Sequence, residues 1–210
     1  MKVLPYDLLA AYASLFVGNR DHYAVQQRDG SYWRVCEPLT LDLVAAHLEG
    51  RVTLGTYLLD SESCCTFAVF DADSGDGLEK LALLQQQLAG DSVPSLLEVS
   101  RRGGHLWLHF SESAPASQVR AWLLPYALAY GVELYPKQDA LNTGGAGSVI
   151  RVPLGVHRKS RGWYPFLAVL DGGLLVPVGN SVAECCAWVC EAVRLVRVPD
   201  VGMVVGEEHD

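Results

Sequence analysis

The stretch Thr66-Phe67-Ala68-Val69-Phe70-Asp71-Ala72-Asp73 constrains this chain more than any other. It is a short apolar run, rich in aromatic and β-branched residues, and reads as a buried strand. It ends in two carboxylates one residue apart. Side chains two apart on a strand point to the same face, so Asp71 and Asp73 converge at the strand's C-terminal end. Two carboxylates held there repel each other unless a cation sits between them. One reading is a Mg²⁺ or Mn²⁺ site. The other is an acidic turn, with Asp serving turn chemistry ahead of Ser74-Gly75. A calcium loop fits less well, because Gly75 and Asp76 stand where such a loop places Asp or Asn and then Gly.

A chain of 210 residues makes one large domain or two small modules. Half of the residues are hydrophobic, yet no apolar run reaches the length of a membrane span. Residues 8–16 are apolar, but Pro5 and Asp7 interrupt the region and Lys2 is the only basic residue before it. This reads as a buried helix and not a signal peptide, which makes the cytoplasm and reduced thiols the expectation. The six cysteines form no Cys-x-x-Cys pair and have no His at finger spacing, so no structural zinc is expected. A net charge of −8 argues against a protein that simply coats nucleic acid. The distribution says more: residues 101–162 carry eight Lys and Arg against three Asp and Glu, while the rest carries eight against 21. A basic middle in an acidic body suits an anion site with a local footprint.

The coarse order of elements follows from periodicity and punctuation. Residues 5–16 read as a helix, and residues 23–35 as a hairpin turning at Asp29-Gly30. Thr40 is a good N-cap for a helix that ends at Gly50. Residues 52–59 and the Asp71/Asp73 run are strands. A helix over 78–88 and a strand over 95–100 would make a right-handed βαβ unit. Ser100-Arg101-Arg102-Gly103-Gly104 is a tight turn into an alternating strand. His105, Trp107 and His109 take one of its faces; Leu106, Leu108 and Phe110 take the other. A helix over 116–130, a Gly- and Asn-rich loop over 136–148 and a strand over 149–154 come next. After a basic loop over 157–161, a strand over 165–170 ends in Asp171-Gly172-Gly173. A helix over 181–196 closes the order, and the acidic tail from Pro199 is expected to fray.

Paired carboxylates, a third carboxylate, a His beside glycines and a cluster of Arg and Lys together suit metal-dependent nucleotidyl transfer. At this point the ordered residues resemble the archaeo-eukaryotic primase superfamily, the primase-polymerases. The likeness is nearest to primase domains of prokaryotic conflict systems and CRISPR loci. Leu15-Phe16-Val17-Gly18-Asn19-Arg20-Asp21-His22-Tyr23-Ala24 is similar to the family's N-terminal signature, and Leu39-Thr40 through Gly50 with Leu54-Gly55-Thr56-Tyr57 to its next block. Phe70-Asp71-Ala72-Asp73 matches the first catalytic motif. Glu98-Val99-Ser100-Arg101-Arg102-Gly103-Gly104-His105-Leu106-Trp107 is similar to the second. Tyr135-Pro136-Lys137-Gln138-Asp139 and Arg151-Val152-Pro153-Leu154-Gly155 resemble the segment ahead of the third motif, where Asp171 takes the carboxylate's place. Asn19 between Gly18 and Arg20, and the run before Asp171, depart from the family pattern.

The resemblance implies an α+β catalytic core over residues 1–198, ahead of the tail at 199–210. It has two interleaved modules, an N-terminal α/β module and one like an RNA-recognition fold, with the active site in the cleft between them. It implies template-directed addition of NTPs or dNTPs, to a primer or starting one, on a single-stranded DNA template. Helicase, CRISPR or other defence proteins are its implied partners, and no membrane is. Asp71, Asp73 and Asp171 would hold two Mg²⁺ or Mn²⁺ ions. The strand before Asp171 would run beside the one bearing Asp71 and Asp73. Ser100, Arg102, Gly104 and His105 would meet the nucleotide, and Lys137, Arg151, His157 and Arg158 would complete its anion pocket. The residues by themselves leave Asp171-Gly172 open as a plain hairpin turn. Two other functions also stay open: a metal-dependent glycosyltransferase, and a catalytically weak nucleotide- or nucleic-acid-binding subunit of a defence complex.

Overall fold

The computed structural model describes residues 4–170 and 173–200. In chain order these form α1 (Tyr6–Phe16), β1 (Tyr23–Gln26), β2 (Tyr32–Val35), α2 (Leu41–Leu48), β3 (Leu54–Tyr57), β4 (Cys64–Ala72), α3 (Gly77–Gly90) and β5 (Leu96–Val99). Then come β6 (Gly104–Pro115), α4 (Ala116–Tyr130), β7 (Glu133–Tyr135), β8 (Val149–Arg151), β9 (Phe166–Val169), β10 (Leu175–Pro177), α5 (Val182–Ala192) and β11 (Leu195–Val196). None of the described helices is long and apolar enough to cross a membrane.

The strands form two sheets. The smaller has the order β2-β1-β3-β8, every pair antiparallel. The hairpin at Asp29-Gly30 forms, with Asp29 Oδ1 accepting from the Ser31 backbone N–H at 2.9 Å. β8 reaches this sheet from far along the chain and pairs with β3. The larger sheet runs β10-β9-β5-β6-β4-β7, and β11 lies parallel to the later part of β6. Within it β4-α3-β5-β6-α4-β7 is a β-α-β-β-α-β unit, the split form of βαβ. The sequence predicts a simple βαβ unit from β4 to β5. Instead β6 enters between them as the antiparallel neighbour of both.

Alternation decides the two faces of the large sheet. Ala68 and Phe70 of β4 lie beside Leu108 and Leu106 of β6; α3 and α4 cover that side. Phe67, Trp107 and His109 lie on the other side, where Phe16 of α1 meets Trp107 edge-on with ring centroids 5.2 Å apart. α1 therefore buries Leu9, Tyr12, Ala13 and Phe16, one face at helical spacing. α2 starts where Thr40 Oγ1 accepts from the Leu43 N–H at 3.3 Å.

Two further expectations are corrected. The strand before Asp171 does not run beside β4: β5 and β6 separate β9 from it. Each successive pair from β4 to β9 is antiparallel, so β9 also runs opposite to β4. Phe166, at its start, is the end level with Glu98, and Val169 lies towards the far edge. β9 and β10 pair antiparallel as a hairpin, with Val169 opposite Leu175. Asp171 itself lies outside the described residues, as do Gly172 and the tail from residue 201. Second, the helix expected over 181–196 stops at Ala192, and Leu195-Val196 joins the sheet as β11.

Two histidines are built into this frame as neutral core residues. His47 donates from Nε2 to the Pro153 carbonyl at 2.9 Å and accepts at Nδ1 from the Leu54 N–H at 3.0 Å. A side chain at Gly155 would collide with its ring. Burial pushes the pKa of His47 down to about 4, and burial does the same to His109, also to about 4. Both stay neutral in the folded chain where the unfolded chain, with imidazoles near 6.5, takes up protons. Their contribution is complete above that pH and is lost as pH falls towards 4. At pH 5 the loss should be about 2 kcal/mol for each histidine. Urea midpoints at pH 7.5 and 5.0 check this, and an equal midpoint at both would exclude it.

Candidate active site

The cleft with the charged lining opens between the two sheets and has a volume of about 360 Å³. The large sheet contributes Asp71, Asp73, Ser100, Arg101, Arg102, His105 and Tyr135; the small sheet and its loops contribute Gln26, Asp29, Tyr32, Arg151, His157 and Lys159. The floor is a row set by strand register. Glu98 of β5 is opposite His105 of β6, His105 opposite Asp71 of β4, and Asp71 opposite Glu133 of β7. Directly opposed residues share a sheet face, so all four side chains emerge on one side.

The turn before β6 brings the strand ends together. A Cβ at Gly103 would collide with the Ala72 carbonyl, so only glycine lets this turn lie against the end of β4. Gly104 faces away from the cleft, its place for a Cβ filled by Leu78 and Leu81 of α3 and the Glu98 carbonyl. It serves packing where the resemblance implies nucleotide contact.

The two carboxylates differ. Asp71 is largely buried, and its Oδ1 has no hydrogen-bond partner among the described residues. Burial raises its pKa; His105 opposes this, and Asp73 and Glu133 add to it. Asp73 is half exposed and pairs with Arg102. Among the described residues no three of His, Cys, Asp and Glu are gathered closely enough to hold a cation by themselves. The donor set nevertheless fits Mg²⁺ or Mn²⁺. Magnesium is held by one or two carboxylates together with substrate phosphates rather than by an all-protein cage. Asp71 lines the cleft and keeps an orphaned Oδ1 that no donor among the described residues satisfies, as a carboxylate held for a cation does.

His105 is nearly buried. Its Nδ1 lies 2.8 Å from Glu98 Oε2, and its Nε2 is 3.7 Å from Asp71 Oδ1. Ser100 also lines the cleft, and its buried Oγ has no hydrogen-bond partner among the described residues. Arg151 lines the cleft and bonds Glu98 Oε1 at 2.7 Å, with both side chains buried. Burial alone would raise the Glu98 pKa; Arg151, His105 and the hydrogen bonds from His105 and Trp107 outweigh it and hold it below its usual value. His157 lines the opposite wall, where burial, Arg151 and Arg101 lower its pKa.

Two cations of the expected anion pocket are placed elsewhere. Lys137 pairs with Glu133 at 2.9 Å and sits over the Tyr135 ring at 4.7 Å, beside the cleft and not in its lining. The Arg158 guanidinium turns away to the Arg51 carbonyl. Arg101 and Lys159 line the cleft instead, and neither has an ion-pair partner among the described residues. Sequence reasoning also assigned no role to Glu98, Glu133, Tyr32 or Tyr135. One signal was available: Glu98 and Arg151 are opposite charges, each set in an apolar strand, and a buried charge needs a partner.

The polymerase domain of Mycobacterium tuberculosis ligase D, solved in complex with DNA, is similar in fold. It has a TM-score of 0.51 and 11% identity over 88% of this chain and 87% of that one. The catalytic domain of the primase RepB′, solved in complex with initiator DNA, gives 0.47 and 10% identity over 88% of this chain and 94% of that one. No curated protein matches by sequence. The family model of the archaeo-eukaryotic primase domain of TOTE conflict systems matches residues 27–168, which hold β2 to β8, all but the last residue of β9, and nearly all of the cleft lining. With more than half of the chain matched, the chain belongs to this family of archaeo-eukaryotic primase domains.

Proposed function

We propose that the chain is a template-directed nucleotidyltransferase that adds NTPs or dNTPs to a strand paired with single-stranded DNA. The observation that carries this is the facing pair at the cleft floor. Asp71 and His105, with Oδ1 and Nε2 3.7 Å apart, both line a space that Arg101, Arg102 and Lys159 also line. Asp71 and Asp73, both in the cleft lining, are the residues that would hold Mg²⁺ or Mn²⁺ together with the substrate phosphates. When bound, the cations would activate the attacking hydroxyl and neutralise charge on the transferred phosphoryl group.

The chain's own residues would do the rest. His105 Nε2 and Ser100 Oγ meet the triphosphate at the floor, and Arg101, Arg102 and Lys159 meet it at the rim. Tyr32 and Tyr135 wall the space for sugar and base. The membership of the family and the ligase D fold support the reading. The DNA in that neighbour's complex suggests that the cleft takes a template strand, with binding that weakens steeply in salt.

The test is extension of primed and unprimed templates, with NTPs and dNTPs separately, in Mg²⁺ and in Mn²⁺. Incorporation dictated by the template base supports the reading; none with either metal removes it. The rim supplies a further expectation. Arg101→Ala and Lys159→Ala should each raise the nucleotide KM by roughly three- to fivefold, as for solvent-facing charges. Arg158→Ala should leave it unchanged, and the reverse ranking in a KM titration would exclude this rim.

A further inference from the structure

We propose that Glu98 is a positioning residue that holds the His105 ring and the Arg151 guanidinium from opposite walls of the cleft, so that both face the incoming nucleotide. This rests on the nucleotidyl-transfer reading above. Glu98 has 0% side-chain exposure and is not part of the cleft lining, so it touches no substrate. Three donors converge on it. Oε2 accepts from His105 Nδ1 at 2.8 Å and from Trp107 Nε1 at 3.0 Å, and Oε1 accepts from Arg151 Nη2 at 2.7 Å. Trp107 and His105 belong to β6 of the large sheet, and Arg151 to β8 of the small one.

The chemistry of the donors makes the arrangement specific. Indole and guanidinium groups only donate, so the Glu98 carboxylate is locked as an acceptor. His105 Nδ1–H is thereby held on Glu98, and Nε2, which must itself carry a proton to donate to a phosphate oxygen, is the nitrogen presented beside Asp71 Oδ1. A buried ion pair is weak evidence for stability, since an apolar pair of the same volume does as well. Two of the three donors gathered by Glu98 line the cleft, and Trp107 does not. A purely structural role gives no reason for that division.

Glu98→Gln in the full chain tests this. Glutamine offers one acceptor and one donor where the carboxylate offers two acceptors. With its N–H₂ towards β6, the amide can accept from neither His105 Nδ1 nor Trp107 Nε1, and the imidazole is no longer held in place; with its N–H₂ towards Arg151, the guanidinium is displaced. A non-hydrolysable nucleoside triphosphate analogue should bind about tenfold more weakly, as for one lost charge-assisted contact, and nucleotide KM should rise with it. The template KM should stay fixed. Ring ¹⁵N spectra should show the His105 proton on Nδ1 in the wild type and altered in the variant. Trp107→Phe removes the donor that does not face the cleft and should leave analogue affinity unchanged. Should Glu98→Gln fail to fold, Glu98→Asp, too short to reach all three donors, carries the same expectation.

Unchanged analogue affinity with the His105 proton still on Nδ1 overturns the proposal. So does a fall in kcat that merely tracks the folded fraction, or an equal loss of affinity in Trp107→Phe. If the wild type adds no nucleotide to any template, the functional reading fails by itself, and the ring spectra still decide the role of Glu98.

Discussion

Asp71→Ala combined with Asp73→Ala should reduce nucleotide incorporation by at least about a thousandfold, as expected when the groups that stabilise transition-state charge are removed. The fold should survive. Asp71 is the costly member of the pair: burial, Asp73 and Glu133 all disfavour its charge, and its Oδ1 bonds to nothing among the described residues. Alanine there relieves that cost in the metal-free protein. Asp73 gives up only a half-exposed ion pair with Arg102, which contributes little. Thermal unfolding without divalent metal should therefore start at or above the wild-type temperature. Added Mg²⁺ or Mn²⁺ should raise it in the wild type alone. Primer extension at the wild-type rate by the double variant would place the metal site elsewhere, and a collapsed melting temperature would make the pair structural.

Arg151→Ala should cost about 3–5 kcal/mol of stability, because it leaves a buried carboxylate without its countercharge. Glu98 would keep only the His105 and Trp107 hydrogen bonds. The pair also joins β5 of the large sheet to β8 of the small one, so the two walls of the cleft lose a direct link. The pH dependence has a definite sign. Arg151 and His105 hold the Glu98 pKa low against burial, so this stabilisation is complete above the ordinary carboxylate range and fades as pH falls below it. Removing Arg151 lets burial dominate, and the loss of stability on acidification should begin at higher pH. The double variant Glu98→Gln with Arg151→Met should be less destabilised than the sum of its single variants, since the orphaned charge is gone. Urea denaturation measures all three, and a cost below about 1 kcal/mol for Arg151→Ala would mean that the pair does not hold the sheets together.

Much of the local structure could be read from the chain. Thr40, the hairpin turn at Asp29-Gly30 and the 3.6-residue spacing of α1 act within a few residues, so their elements form where expected. The alternation of β6 put His105, Trp107 and His109 on one face, and its register with β4 agrees. β7 escaped notice because three residues are too few to show a period, yet it carries Glu133. Leu195-Val196 extends the apolar pattern of α5 and was read as helix; pairing with β6 makes it a strand.

Asp71, Asp73 and His105 were legible as site candidates because a strand has period two and a Gly turn has a sequence signature. The partners of those residues depend on strand order, which no local pattern encodes. Whether β9 or β7 lies beside β4 is settled by how α3 and α4 pack on one face of the sheet and how β5 and β6 pair beyond it. That packing sets Glu133 next to Asp71, sends β9 to the far side of β5, and brings Arg151 from a second sheet to Glu98. By itself the sequence determined which faces and strand ends could carry charge, through propensity and period. Which charges meet was decided by the tertiary structure alone, because a buried carboxylate takes its countercharge from whichever strand the packing places beside it.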